Sequence, residues 1–311
     1  MMVMCIMRVF PLAGFLWFAL LGCFSQTGWA VPLVFTVNPS QSQLTVSGYV
    51  TLGNMSAQAP GSLTTTYSGT INVDLTDTNL TFTGGSLVAA QINGSWQPAA
   101  GGTPGIAAAD YGGTNTEDIG TGLGGTHPPG NFALRNLILD LTSPVLATTN
   151  GSFDGSSVRC LLVTNTATID YYYATNTVAT NSGSQYLNGY AANTLSAGAS
   201  VSTNAGVRRL VLPVNALFTE SVAFLRDNDT ALTFTGQLVA TIAPPIIQSI
   251  VKSPQNVVIT TENTTAQSVL VVSTNLISWS PTSATVSTNG MGMIVFTTPL
   301  NAGNAFYRVQ Q

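Results

Sequence analysis

Charge is what this chain has least of. Asp, Glu, Lys and Arg make up 6% of its 311 residues, against about a quarter in an average soluble domain. The formal net charge is −4, and Arg208-Arg209 is the densest basic feature. A nucleic-acid partner needs clustered basic charge to displace counterions, so nucleic acid is excluded. Histidine is nearly absent. The single one, His127, sits in Gly125-Thr126-His127-Pro128-Pro129-Gly130 and reads as an exposed loop residue. No His/Cys cluster can form a zinc or copper site of ordinary spacing. No G-x-S-x-G elbow accompanies His127 for a serine triad. No cofactor is expected. What remains polar is mostly Thr, Ser, Asn and Gln. Those residues suit strands and turns better than helices.

The first thirty residues read as an export signal. Met1 to Arg8 carries one positive charge, Val9 to Phe24 is almost wholly apolar, and Ser25 to Ala30 ends in Gly28-Trp29-Ala30. These are the n-, h- and c-regions of a secretory signal, with cleavage after Ala30. The apolar run is about 16 residues, short of the roughly 20 a bilayer span needs. No transmembrane helix is therefore expected in the mature chain. An alternative stays open, because Leu20-Leu21-Gly22-Cys23 resembles a bacterial lipoprotein cleavage box. Processing there would anchor the chain through a lipidated Cys23 instead of releasing it. Removal of residues 1–30 leaves Cys160 as the lone thiol. No intramolecular disulfide can then staple the fold, and the core must carry stability. Val158-Arg159-Cys160-Leu161-Leu162 is an apolar, strand-like setting that suits an inert buried thiol.

Period-2 alternation recurs along the rest. Tyr67, Gly69, Ile71, Val73 and Leu75 share one parity, and Leu232, Phe234, Gly236, Leu238, Ala240 and Ile242 share another. Each set is the pattern of a strand with one buried face. Further strands are expected at Leu33–Val37, Gln43–Val50, Leu80–Thr83, Leu87–Ile92, Phe132–Leu141, Val158–Asp170 and Arg209–Val214. The stretch Thr78–Ala89 resembles Thr230–Ala240, with one extra residue at Gly84-Gly85, which reads as a β-bulge. The likeness fits either a duplicated sheet or convergence on a Thr-rich strand. Residues 99–131 read as a Gly-rich loop, with room for a helical turn around Ile106–Tyr111. Pro244-Pro245 cannot continue a central strand and reads as a linker. The fold expected is all-β. A signal peptide (1–30) precedes a main domain (31–243), an antiparallel sandwich or barrel of roughly ten strands. A small β-sandwich (246–311) follows.

Few residues could build a site. Asp110, Glu117 and Asp118 share the Gly-rich loop, and Asp227 and Asp229 flank Asn228. Carboxylates so spaced can supply calcium's oxygen ligands. A solvated loop and a hairpin turn, respectively, are the simpler and preferred readings. Tyr171, Tyr172 and Tyr173 could present aromatics to a sugar from a sheet face, or cap a core edge. A glycoside hydrolase, the less favoured alternative, would need two opposed carboxylates, which the chain's 12 acids could supply only by meeting in three dimensions.

Three resemblances bear on the whole. Ser273-Thr274-Asn275-Leu276-Ile277-Ser278-Trp279, closing on Phe306-Tyr307-Arg308, resembles the C-terminal β-sandwich module of many secreted proteins of Verrucomicrobia and Planctomycetes. That implies an Ig-like accessory module with Trp279 as its core tryptophan, and Phe306 and Tyr307 on opposite sides of the last strand. Gly61–Ile71 and Leu232–Thr241 resemble secreted proteins of those bacteria that carry a PEP-CTERM sorting tail, although no such tail closes this chain. Phe35–Pro39, Ser42–Val46 and Tyr67–Ile71 resemble the opening of YceI-like barrels, which implies an apolar lipid held inside. The reading is an exported, non-enzymatic structural or adhesive protein of the cell surface or matrix. Its expected partners are surface polysaccharide or matrix protein, and a ligand-binding module is the alternative.

Overall fold

The computed structural model describes residues 31–50, 53–115, 130–174, 180–187, 193–204, 207–220, 230–262, 264, 268–290, 293–301 and 305–310. The chain is all-β: about 64% of it is strand, in antiparallel sheets, and the helical residues are short 3-10 turns. Among the described residues no helix is long and apolar enough to cross a membrane.

Eight antiparallel rows build the main body. Row 1 joins Val31–Val37 to Gln43–Val50. Row 2 is Thr64–Leu75, and row 3 is Asn79–Ala89. Row 4 joins Ile138–Thr142 to Leu146–Ala147, and row 5 joins Ser152–Phe153 to Arg159–Leu162. Row 6 joins Asn193–Thr194 to Ala199–Asn204. Row 7 is Val207–Glu220, and row 8 is Thr230–Ile242. Each row pairs with the next. Row 8 then pairs back to row 1 through Val37↔Ala240 and Phe234↔Val46. The ladder closes on itself, so the main body is an up-and-down barrel without free edges.

The alternation in the sequence sets which face looks inward. Phe35 sits opposite Ile71, Val73 opposite Phe82, and Ala216 opposite Phe234. All six are buried. Phe218 and Tyr111 each meet Phe234 edge-on, at 5.6 and 5.7 Å between ring centroids. An eight-strand barrel is just wide enough for side chains to fill, and bulky apolar groups occupy these inner positions. The similarity between Thr78–Ala89 and Thr230–Ala240 falls on rows 3 and 8, which run in opposite directions. A duplicated four-row meander would place matched strands four rows apart and parallel, so convergence explains the likeness. Gly84 and Gly236 take the same unusual backbone, φ 133° and 145°. At Gly236 a Cβ would lie 2.2 Å from the Gln43 carbonyl oxygen. Only glycine lets row 1 approach row 8 so closely.

Several strand expectations needed correction. Leu80–Thr83 and Leu87–Ala89 belong to one strand that stops short of Ile92, with the register slip between Asn72 and Val73 placing the bulge at Thr83-Gly84. Phe132–Leu141 is two strands, split where Asn136 turns at φ 56°. Val158–Asp170 is likewise split, around Asn165 at φ 59°. Asn tolerates that left-handed conformation better than most residues. At both splits the chain passes between the barrel and a second sheet.

That second sheet comes from the long connections, which all leave one end of the barrel. In spatial order it holds Gly53–Ser56, Tyr111–Asn115, Gly130–Arg135, Thr168–Ala174 and Thr180–Tyr186. Phe132, Leu134 and Ile169 turn one face onto the barrel core. Ala133, Arg135 and Asp170 lie on the other face, under a strap of residues 90–110. The segment 99–131 is thus not one loop, because Tyr111–Asn115 is a paired strand. The expected helical turn at Ile106–Tyr111 is extended instead, with Ala107 bridged to Trp96. Two of the segment's glycines, Gly112 and Gly113, serve packing. The Trp96 indole lies on Gly112, where a Cβ would come within 2.2 Å of the ring.

The C-terminal strands form two further sheets. One orders Ile246–Lys252, Asn256–Glu262, Ile294–Pro299 and Thr285–Thr288. The other orders Ser280–Pro281, Val269–Ser273 and Phe306–Gln310. They share a core of Val257, Ile259, Leu270, Ile294, Phe296 and Val309. Trp279 is outside that core. It is part-buried and carries the Arg308 guanidinium 4.8 Å from its ring centroid. Tyr307 packs inward and Phe306 points out. The Ser-Thr-Asn-Leu motif builds a turn. Asn275 Oδ1 accepts the Ile277 and Ser278 N–H groups, and Ser273 Oγ accepts those of Asn275 and Leu276.

Candidate functional site

Of the residues marked as site candidates, Glu117, Asp118, His127, Asp227, Asp229 and Cys23 lie outside the described residues, as does the whole signal segment 1–30. Asp110 is described, and it is no solvated loop acid. It is 3% exposed at the end of the strap, and its Oδ2 accepts the Leu137 N–H at 2.7 Å. Burial pushes its carboxyl up to about 6, against the opposing pull of that N–H and of Arg135. Tyr171 and Tyr172 are part-buried in a strand flanked on both sides, and they form no open aromatic platform. The Tyr173 side chain is outside the description. Cys160 faces the barrel core opposite Leu141, and burial pushes its thiol up to about 12. It is a packing residue. Among the described residues no group of three or more His, Cys, Asp or Glu side chains could hold a metal ion.

The structure adds two residues that sequence reasoning missed. Arg135 and Asp170 form an ion pair between the second sheet and the strap, 7% and 1% exposed. Arg135 Nε donates to the Ala108 carbonyl at 2.9 Å, and one terminal nitrogen donates to the Pro98 carbonyl. The guanidinium therefore pins the strap through backbone oxygens. Asp170 Oδ1 is buried with no hydrogen-bond partner. Neither Asp110 nor Asp170 is presented to solvent, so these two acids form no open carboxylate pair. Nearby, the Tyr111 hydroxyl donates to the Leu44 carbonyl at 3.2 Å. Tyr67 must then donate to Tyr111, 3.1 Å away. The pair ties the second sheet to rows 1 and 2.

The open chemistry lies on the outer wall. Row 1 is interrupted by the 3-10 turn Pro39–Gln41. From Thr36 to Gln43 it spends three more residues than row 2 does from Thr70 to Thr66. The turn is looped out of the ladder. Ser42, wholly buried, repairs the gap. Its hydroxyl accepts the Val239 N–H at 2.9 Å and donates to the Val239 carbonyl at 3.0 Å. Beside the loop lies a depression of about 400 Å³ lined by Ser40, Gln41, Gln43, Gly236 and Gln237. Gln43 and Gln237 are directly paired across rows 1 and 8.

No relative was found for this chain. No protein-family model matches it, and no curated protein or solved structure matches it significantly. Function must be argued from the geometry.

The wall continues from the depression as uncharged ladders. Thr64, Thr45, Thr235 and Asn215 stand in line across rows 2, 1, 8 and 7. The Thr45 and Thr64 hydroxyls are 2.8 Å apart. Ser47 and Thr233 form the next step toward the second sheet. Arg209 borders the depression, with its guanidinium 3.5 Å from Gln41 Oε1.

Proposed function

We propose that this chain is an exported, non-enzymatic structural or adhesive protein of the cell surface or extracellular matrix. The observation that carries this reading is the division between the two faces of the barrel. Bulky aromatic and aliphatic groups occupy the inner positions, and uncharged hydrogen-bonding groups line the outer wall where Gln43–Ser47 of row 1 meets rows 2 and 8. A filled, edgeless barrel is a rigid scaffold. A wall of Thr, Ser and Gln meets hydroxyl-rich or peptide surfaces without long-range charge. The buried acids support the reading, since Asp110 and Asp170 hold the second sheet and its strap.

The eight-row closure favours one second reading, a carrier that holds an apolar ligand inside, because barrels of this size can enclose one small molecule. The test is export of the full precursor from a bacterial host, followed by cell fractionation and native mass spectrometry. The expected result is a chain starting at Val31, free of adducts, in the medium or in a surface fraction released by mild washing. A lipid of several hundred daltons that leaves on denaturation would replace this reading with the carrier. A diacylglyceryl mass on Cys23 would keep the surface location and make it an anchored one.

A further inference from the structure

We propose that the depression beside the Pro39–Gln41 turn, with the ladder leading from it, is a binding site for an extended neutral polysaccharide. The inference rests on the surface-protein reading and gives that protein its ligand class.

The geometry restricts what can bind. The rows are paired on both sides, so their backbone groups are already used. A partner cannot add a strand here and must be read by side chains. Those side chains are amides and hydroxyls. Each Gln amide offers two donors and one acceptor in a plane, which matches adjacent sugar hydroxyls. The Gln43 amide makes no hydrogen bond within the described residues and is exposed. Gln237 makes one long contact, 3.4 Å to the Gln41 carbonyl, and a ligand oxygen can replace it. Gly236, where row 1 closes on row 8, contributes backbone to the lining of the depression.

No carboxylate lines the depression. The single guanidinium at its border supplies a donor fork more than a field. This points to a neutral ligand. The site also has direction. From Gln43 through Thr45 to Ser47 the outward groups advance along row 1 by about 13 Å, at about 3.3 Å per residue. Thr235 and Thr233 run beside them on row 8. A linear chain of sugars could follow that track. Leu217, 42% exposed and opposite Thr233, offers an apolar contact to the C–H face of a sugar ring.

The experiment is affinity electrophoresis of the exported full chain. Native gels would contain dextran, mannan, a soluble β-glucan or, as the charged comparison, alginate. The variant is Gln43→Ala with Gln237→Ala. Both positions are exposed, so its melting temperature should match wild type. The expected result is retardation by at least one neutral polysaccharide, persisting in about 0.5 M salt, where unscreened charge effects are lost. The double variant should need about tenfold more polysaccharide for equal retardation. Equal retardation of both proteins would overturn this site. Retardation by alginate alone, abolished by salt, would overturn a neutral ligand. No retardation by any of the four would overturn the proposal, whereas failure to find the protein in either the medium or a surface fraction would instead remove the reading beneath it.

Discussion

Replacing Arg135 with Met tests the packing of the second sheet most sharply. Met keeps an unbranched apolar stem, shorter by two heavy atoms, and removes the charge and all five donors. Asp170, 1% exposed, would lose the one ionic partner it has among the described residues. Its Oδ1 is already without a hydrogen bond. Breaking one side of a buried pair typically costs about 3–5 kcal/mol. The freed Pro98 and Ala108 carbonyls add to that where water does not reach them. For a body of this size such a loss lowers the melting temperature by roughly 6–20 °C. Urea unfolding followed by far-UV circular dichroism would measure it. The second half of the test is Arg135→Met with Asp170→Asn. Removing both charges should return much of the loss, because what is costly is the stranded charge, not the missing attraction. A single variant within about 1 kcal/mol of wild type would show the site to be open to water. A double variant no more stable than the single one would refute the electrostatic account and leave only lost packing.

Three further outcomes follow from individual contacts. Ser42→Ala should destabilise the barrel by about 1–3 kcal/mol in urea, because the Val239 N–H loses its partner inside the wall. Asp110 has its carboxyl raised to about 6 from 3.8 by burial, so the folded state holds that proton more tightly than the unfolded one. Its contribution is therefore most favourable below about pH 4 and is lost as pH rises toward 6, by about 3 kcal/mol. Urea midpoints from pH 4 to 7 should show this slope in wild type, and Asp110→Asn should flatten it. Cys160 should resist a thiol-specific chromogenic reagent in the native protein and react fully in denaturant. Fast labelling without denaturant would show that row 5 opens or is not buried.

The barrel was legible wherever one strand face meets a core. The parities of Tyr67–Leu75 and Leu232–Ile242 marked rows 2 and 8 because apolar and polar groups alternate there without interruption. The splits at Asn136 and Asn165 were not legible. Phe132–Leu141 is apolar on both sides of the Arg135-Asn136 junction, since both its halves are buried, one in the second sheet and one in the barrel. Hydrophobicity reports burial and does not say which sheet provides it. Only the asparagine, a residue at ease with positive φ, marks the turn. The Gly-rich loop misled for a related reason. Gly112 and Gly113 fall within the stretch read as a loop, but they are small because Trp96 and the neighbouring strand lie against them. A glycine states only that a side chain is absent, and the object filling that space is far away in sequence.

The same reasoning explains why the candidate sites shifted. Acids were sought in turns, where Asp is common and usually solvated. The acids that organise this fold are Asp110 and Asp170, at the margins of apolar strand runs. In a chain with so few charges, an acid within Ala167–Tyr173 or an arginine ending Phe132–Arg135 is the anomaly to follow. Burying a charge is costly unless it is paired, so two such residues are expected to find each other. The outer-wall depression gave still less warning. Pro39, Ser40 and Gln41 read as an ordinary turn, and nothing local reveals that the chain resumes the same row afterwards. That fact needs both neighbours, Thr70 with Thr66 on one side and Ala240 with Gln237 on the other. A wall of a closed barrel can open a recess only by expelling residues from one row. The three residues expelled here carry the hydroxyl and amide that, with Gln43 and Gln237, make the recess polar.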